Sequence, residues 1–189
     1  MRLAGILFSA LVLLGPTPAF AEWFEYTNRE EKFSINFPAE PTIEETTIIS
    51  QRGDTYPAKI FRANDGDSTY MIKVVDYTDG IVSDIRGSIA WEAWNYRKDL
   101  NDRGAELTFD GYAQVDRIEG HQLQITNADG SRTFVGMHLH ARRLYVLEAT
   151  VPAGAPLPML FQVSLSILDD NGEGVRYDID ADGQRIPDE

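Results

Sequence analysis

The sequence predicts an α+β domain, with a largely antiparallel sheet and two main helices packed on it. Three observations carry this. Short apolar or aromatic runs recur from Trp23 to Val151, separated by turn pairs such as Asp129-Gly130. From about Ile81 to Leu100 the apolar spacing changes to that of a helix. A second helical stretch at Leu157 to Leu168 closes the series. Strands, a helix, more strands and a last helix make an α+β order, in contrast to the regular alternation of a parallel α/β fold.

In chain order, Trp23 to Thr27 and Phe33 to Phe37 are aromatic, partly alternating runs around the charged turn Asn28 to Lys32, and they read as paired strands. Ile43 to Ser50, rich in Ile and Thr, is a third strand. Tyr56 to Arg62 and Ser68 to Tyr77 flank Asn64-Asp65-Gly66-Asp67, a strong hairpin signal. In the following helix Ile85, Ile89, Ala93, Tyr96 and Leu100 share one stripe, whereas Trp91 and Trp94 fall off it. Those two tryptophans are either covered by a loop or strand or form an exposed binding patch, since Trp is enriched at interface hot spots. Asn101 to Gly104 ends the helix. Strands are expected at Ala105 to Phe109, Tyr112 to Ile118 and His121 to Asn127, with Asp110-Gly111 and Glu119-Gly120 as the turns between them. Thr133 to His140 follows, then a return arm to Val151, with Ala141-Arg142 at the corner. Alternation puts Met137, Leu139, Leu144 and Val146 on one sheet face and His138, Tyr145 and Leu147 on the other. Both faces are apolar, as expected of a central hairpin covered on two sides.

At its start the chain has Arg2, an apolar run from Leu3 to Leu14 and Ala19-Phe20-Ala21, the layout of a signal peptide cleaved after Ala21. The expected organisation is a signal peptide over 1–21, a single domain over 22–168 and an acidic, glycine-rich tail over 169–189. The protein is then expected to be periplasmic or secreted, without stable membrane insertion after cleavage. There is no cysteine, so the fold stands on packing alone and thiol chemistry is excluded. Net charge is −13, which disfavours nucleic acid as a partner.

The residues that could carry chemistry are few. The chain has three histidines. On one strand, His138 and His140 project from the same face and could share a metal with His121 or a carboxylate. Alternatively they are an ordinary pair, with His138 facing Tyr145 and His140 facing Arg143 across a turn at Ala141-Arg142. Arg142 and Arg143 could hold an anion, or could pair with neighbouring acids. The run from Asp178 to Glu189 has the calcium-loop spacing, with Asp178, Asp180 and Asp182 at the first, third and fifth places, Gly183 sixth and Glu189 twelfth. Arg185 and Pro187 depart from that pattern, and the other reading is a surface hairpin turning at Asp182-Gly183. No Gly-x-Ser-x-Gly, His-Glu-x-x-His or Gly-rich phosphate loop occurs, so no catalytic residue and no cofactor is expected.

Phe33-Ser34-Ile35-Asn36-Phe37-Pro38 heads the domain, and Gly120-His121-Gln122-Leu123-Gln124-Ile125 enters a strand. Arg143-Leu144-Tyr145 opens the second arm of the hairpin, and Phe161 and Ser164 lie on the closing helix. In these features the chain resembles the PsbP-like family of small exported bacterial domains, over about Phe24 to Leu168. The resemblance implies an α/β/α sandwich around a twisted antiparallel sheet. It also implies extrinsic subunits or protein-binding factors in place of enzymes, and it carries over no catalytic residue. The function expected is therefore a non-enzymatic binding or assembly module with a periplasmic or envelope protein as partner. The alternative is a metal-dependent ligand binder or enzyme using His138, His140 and Arg143, or a calcium-binding tail.

Overall fold

The computed structural model describes residues 22–179, 182 and 185–187. The expected signal peptide lies outside the described residues. Among those residues, no helix is long and apolar enough to cross a membrane.

The centre is a seven-stranded antiparallel sheet, built as two meanders joined edge to edge. Strands β3 (Thr42–Ile49), β4 (Thr55–Asp65) and β5 (Ser68–Asp76) form one half, in that order. Strands β9 (Arg143–Val151), β8 (Arg132–His140), β7 (Ile118–Thr126) and β6 (Glu106–Val115) complete it, with β9 paired to β5. Helix α1 (Val82–Arg97) is the crossover between the halves and covers one face. A small sheet of β1 (Phe24–Asn28), β2 (Phe33–Phe37) and β10 (Ser166–Ile167) covers the other, together with the short helix α2 (Met159–Val163). The expected α+β sandwich is thus what folds, but one outer layer is mostly sheet.

The two faces are built on different physics. The β2 side is an aromatic cluster in which Phe33, Phe37, Phe61 and Phe161 are fully buried. Its rings meet at angles, with Phe33 and Phe61 edge to face at 5.1 Å. Each such side chain contributes about 1.5–3 kcal/mol through burial alone. The Tyr145 hydroxyl donates to the Glu31 and Lys32 carbonyls at 3.1 and 3.3 Å, fastening the β1–β2 turn to the central strand.

Below α1 the packing is partly polar. The buried helix positions are Asp84, Ser88, Glu92 and Ala93, with Ile85, Ile89 and Tyr96 half-buried beside them. The expected apolar stripe is there, but its neighbour at four-residue spacing is acidic and faces the sheet. The sheet supplies partners. Tyr56 donates to Asp84 Oδ2 at 2.8 Å, Lys73 Nζ lies 2.5 Å from Glu92 Oε1, and Tyr96 donates to Glu148 Oε2 at 2.5 Å. Burial, then the neighbouring Glu148 carboxylate, pushes the Tyr96 hydroxyl well above its usual pKa.

Lys73→Met would leave Glu92 charged and almost enclosed. Breaking a fully buried pair costs about 3–5 kcal/mol. With slight solvent access at both partners, a loss of about 2 kcal/mol is expected in urea unfolding. The double change Lys73→Met/Glu92→Leu should recover most of it, because the uncompensated charge is then gone. A double variant as unstable as the single one would refute this account.

Two expected turns are corrected. Asp110-Gly111 is not a turn: β6 runs straight through it, with a bulge between Leu107 and Phe109. Glu119-Gly120 is not a turn either, but part of β7. The real corner is Asp116-Arg117, both with positive φ, at 46° and 61°. Glycine in both strands serves close approach. At Gly111 a Cβ would lie 2.9 Å from the Phe109 ring, and at Gly120 only 2.2 Å from the Met137 carbonyl oxygen.

The closing helix is also shorter than expected, with five residues in place of Leu157 to Leu168. Ser164 Oγ accepts the Asn36 N–H at 2.9 Å, and the chain then extends to pair with β2 through Ser166 and Ile167. Of the closing segment, Leu157 and Leu160 are consequently on the surface, about half exposed, whereas Phe161 and Leu168 are buried. Nor does the chain leave the domain at Leu168. It returns along β10, and Val175 and Tyr177 pack against the aromatic cluster. Strands β11 (Tyr177–Ile179) and β12 (Arg185–Pro187) pair as a hairpin around Asp182.

Candidate functional site

The β8–β9 hairpin turns through Ala141 and Arg142, with φ of 44° and 65°. Positive φ at both central residues makes the two-residue turn that matches strand twist, and for non-glycine residues it costs about 1–2 kcal/mol each. Side-chain and backbone ties offset this. Arg142 donates through Nη2 to the Gly80 carbonyl at 2.6 Å and through Nε to the Tyr77 carbonyl at 3.3 Å, and its own carbonyl accepts the Tyr77 N–H at 2.8 Å. Its guanidinium is thus a clamp on the loop that leads to α1.

This turn sets the register, so His138 pairs with Tyr145 and His140 with Arg143. Both histidines face the β2 side. They do not meet His121, which pairs with Met137 and so faces the α1 side. There its Nε2 lies 2.6 Å from Asp110 Oδ1, while Asp110 Oδ2 takes the Arg97 guanidinium. Among the described residues no three His, Asp or Glu side chains are placed to share a metal ion.

Arg143 enters a charged cluster on the β1–β2 turn. Its Nε is 3.8 Å from Glu31 and its Nη2 3.7 Å from Asp76, while Lys59 lies 2.8 Å from both Glu30 and Glu31. This arginine therefore already sits among acids. His140 lies elsewhere, edge-on to the Tyr177 ring at 6.0 Å. Burial, then the nearby Lys32 charge, lowers its pKa.

His138 is 6 % exposed, and among the described residues its Nδ1 makes no well-formed hydrogen bond. Burial pushes the imidazole down to about 4, weakly opposed by the Ile118 backbone, so the ring is neutral at physiological pH. It lines a cleft of about 450 Å³ between α2 and the β6–β8 end of the sheet. The walls are Gln122, Gln124 and Gln162 with Phe134 and Leu147, and Gly136 lies among them. His138, His140 and Arg143 line three separate depressions, so the hairpin does not bring them into one site.

The glutamines were missed in the sequence. Their signal was the two-residue spacing of Gln122 and Gln124, which puts both on one face, but what they oppose is set by pairing with Gly136 and Phe134.

On the opposite side of the sheet, Trp91 and Trp94 stack at 4.8 Å with only 15° between their planes. The Trp91 indole donates to the Ile49 carbonyl at 2.9 Å, so the end of β3 holds the inner ring. Trp94 is 46 % exposed, with the Lys98 ammonium 4.9 Å from its ring centre. Trp91 is therefore held and half-buried, and Trp94 is open. For the calcium spacing, Asp180 and Glu189 lie outside the described residues.

No family model matches the sequence, and no curated protein does either. The fold is similar to the solution structure of cyanobacterial PsbP (CyanoP) from Synechocystis sp. PCC 6803, with a TM-score of 0.51 and 14 % identity, over 84 % of this chain and 98 % of that one. The likeness supports a PsbP-like fold.

Proposed function

We propose that this protein is an exported, non-enzymatic binding module that holds an envelope protein partner through the α1 face at Trp91 and Trp94. The observation that carries the reading is the indole stack. One ring is fixed by a hydrogen bond to β3 and presents the other to solvent, with Ile49, 65 % exposed, at the same end of β3. A large aromatic held rigid before binding loses little entropy when a partner covers it, which is how hot-spot residues work. The PsbP-like fold and the separation of His138, His140 and Arg143 into different depressions add support for binding over catalysis.

A photo-cross-linking residue in place of Trp94 tests the reading in envelope preparations. A discrete adduct is expected from position 94 and not from Glu44, on exposed β3. Once the partner is purified, Trp94→Ser should weaken it by about thirtyfold, the scale of a 2 kcal/mol hot spot. No adduct, or the same adducts from both positions, would overturn the proposal. Export is tested separately by the N-terminus of the recovered protein: Glu22 is expected, and an intact Met1 refutes it.

A further inference from the structure

The cleft under α2 lies on the other side of the sheet from the tryptophan stack and is not needed for the function proposed above. Its volume, about 450 Å³, is within the ordinary range for small-molecule sites, roughly 300–1,000 Å³. Three features distinguish it from a packing defect.

The first is its floor. At Gly136 a Cβ would meet nothing nearer than 3.9 Å, the nearest atoms being Gln162 Oε1, His138 Nε2 and Leu147 Cβ. Packing does not demand glycine here, in contrast to Gly120. The missing side chain leaves the space open.

The second is its polar lining. His138 is almost fully buried, its Nδ1 against Gly120 without a well-formed hydrogen bond among the described residues and its Nε2 edge beside Gly136. An aliphatic residue would fill this place without the cost of desolvating an imidazole, about 1–3 kcal/mol for an unsatisfied buried polar group. Gln122, Gln124 and Gln162 add amides, each able to donate and accept. Among the described residues no lysine or arginine lines the cleft, and the one carboxylate that does, Asp116, accepts from Ser166 at 3.4 Å.

The third is its mouth. Leu157, Met159 and Val163 line the cleft and are 52 %, 56 % and 66 % exposed. Three apolar side chains in a seven-residue stretch are open to water at the one place where a ligand would cover them.

We infer that this cleft binds an uncharged amphiphile, with its apolar body between Leu157, Met159 and Val163 and its hydrogen-bonding head toward Gln122, Gln124 and His138. An anion would lose its hydration with no cation to replace it.

The test uses two fluorescent probes of one shape on the purified protein. These are neutral N-phenyl-1-naphthylamine and 8-anilino-1-naphthalenesulfonate, which adds a sulfonate. Saturable one-to-one binding of the neutral probe is expected, at least tenfold tighter than that of the sulfonate. Gly136→Val, which fills the floor, should weaken the neutral probe at least tenfold. Met159→Glu, at an exposed rim position where folding is not at stake, should do the same. Trp94→Ser should leave the neutral probe unchanged, so failure here and failure of the protein-partner reading are separable. Absence of saturable binding overturns the inference. So does equal binding of both probes, or binding that survives both cleft variants or is lost with Trp94.

Discussion

Gly120→Ala is expected to destabilise the protein by about 3 kcal/mol, the upper part of the range for overpacking. The added methyl would sit 2.2 Å from the Met137 carbonyl oxygen, 2.4 Å from His138 Nδ1 and 2.7 Å from His138 Cε1. Two of these contacts belong to a ring that could shift, although His138 is almost fully buried. The third is backbone of the neighbouring strand and can yield only if β7 and β8 move apart. In a chain of this size the loss corresponds to a melting temperature lower by roughly 6–12 °C. Two companions make the explanation specific. Gly136→Ala, on β8 opposite Gln122 of β7, meets only ordinary contacts and should change stability little. Adding His138→Ala to Gly120→Ala should give only partial rescue, because the carbonyl clash remains. If Gly120→Ala melts with the parent, the close approach is not what this glycine serves.

Acidification should cost the fold about 3 kcal/mol through His138 alone. The sign follows from which state binds the proton. In the unfolded chain the imidazole titrates near 6.5, and in the folded protein burial holds it at about 4. The unfolded state therefore takes up the proton first, and stability falls as pH drops from about 6.5 to about 4. Each pK unit is worth about 1.4 kcal/mol, which gives the total. His140 is shifted in the same direction by burial and adds to the slope.

Carboxylates act in a lower window. For Asp84 and Asp110, burial by itself would raise the pKa. Hydrogen bonds from Ser50 and Tyr56 to Asp84, and from Arg97 and His121 to Asp110, prevail and hold both below 3.8. Their contributions are present above that value and are lost as pH falls through the still lower folded pKa. Urea unfolding between pH 7 and pH 4.5 thus isolates the histidine term. His138→Leu should flatten most of the slope there while leaving the steeper loss below pH 4. A His138→Leu profile parallel to the parent's between pH 7 and pH 4.5 would sink this assignment.

The local code accounts for most of the frame. Alternation and turn pairs mark strands because both act over a few residues, and the helix is marked by its apolar spacing. The register of the central hairpin was legible for the same reason. A turn at Ala141-Arg142 leaves only one pairing, His138 with Tyr145 and His140 with Arg143, and that is the pairing found. Glycine misled where its two uses look alike in sequence. Gly111 and Gly120 sit among polar residues as turn glycines do, yet each serves a close contact with a ring or a neighbouring strand.

What the tertiary structure alone decided is where polar groups are buried and what they meet. The burial of Asp84 and Glu92 has no local signal, because their partners Tyr56 and Lys73 lie 28 and 19 positions away. The tryptophan stack was visible as two off-stripe residues. That one ring is held and the other open depends on the end of β3, 42 positions before Trp91. The cleft was hidden for the same reason. Its glutamines, His138, Gly136 and the α2 side chains come from separate segments, and only strand pairing and the early end of α2 put them around one space. Sequence by itself determined the elements, the sheet faces of the central hairpin and the absence of thiol chemistry. The sites depended on long-range burial, since a polar side chain's cost and use are set by neighbours that only the folded chain supplies.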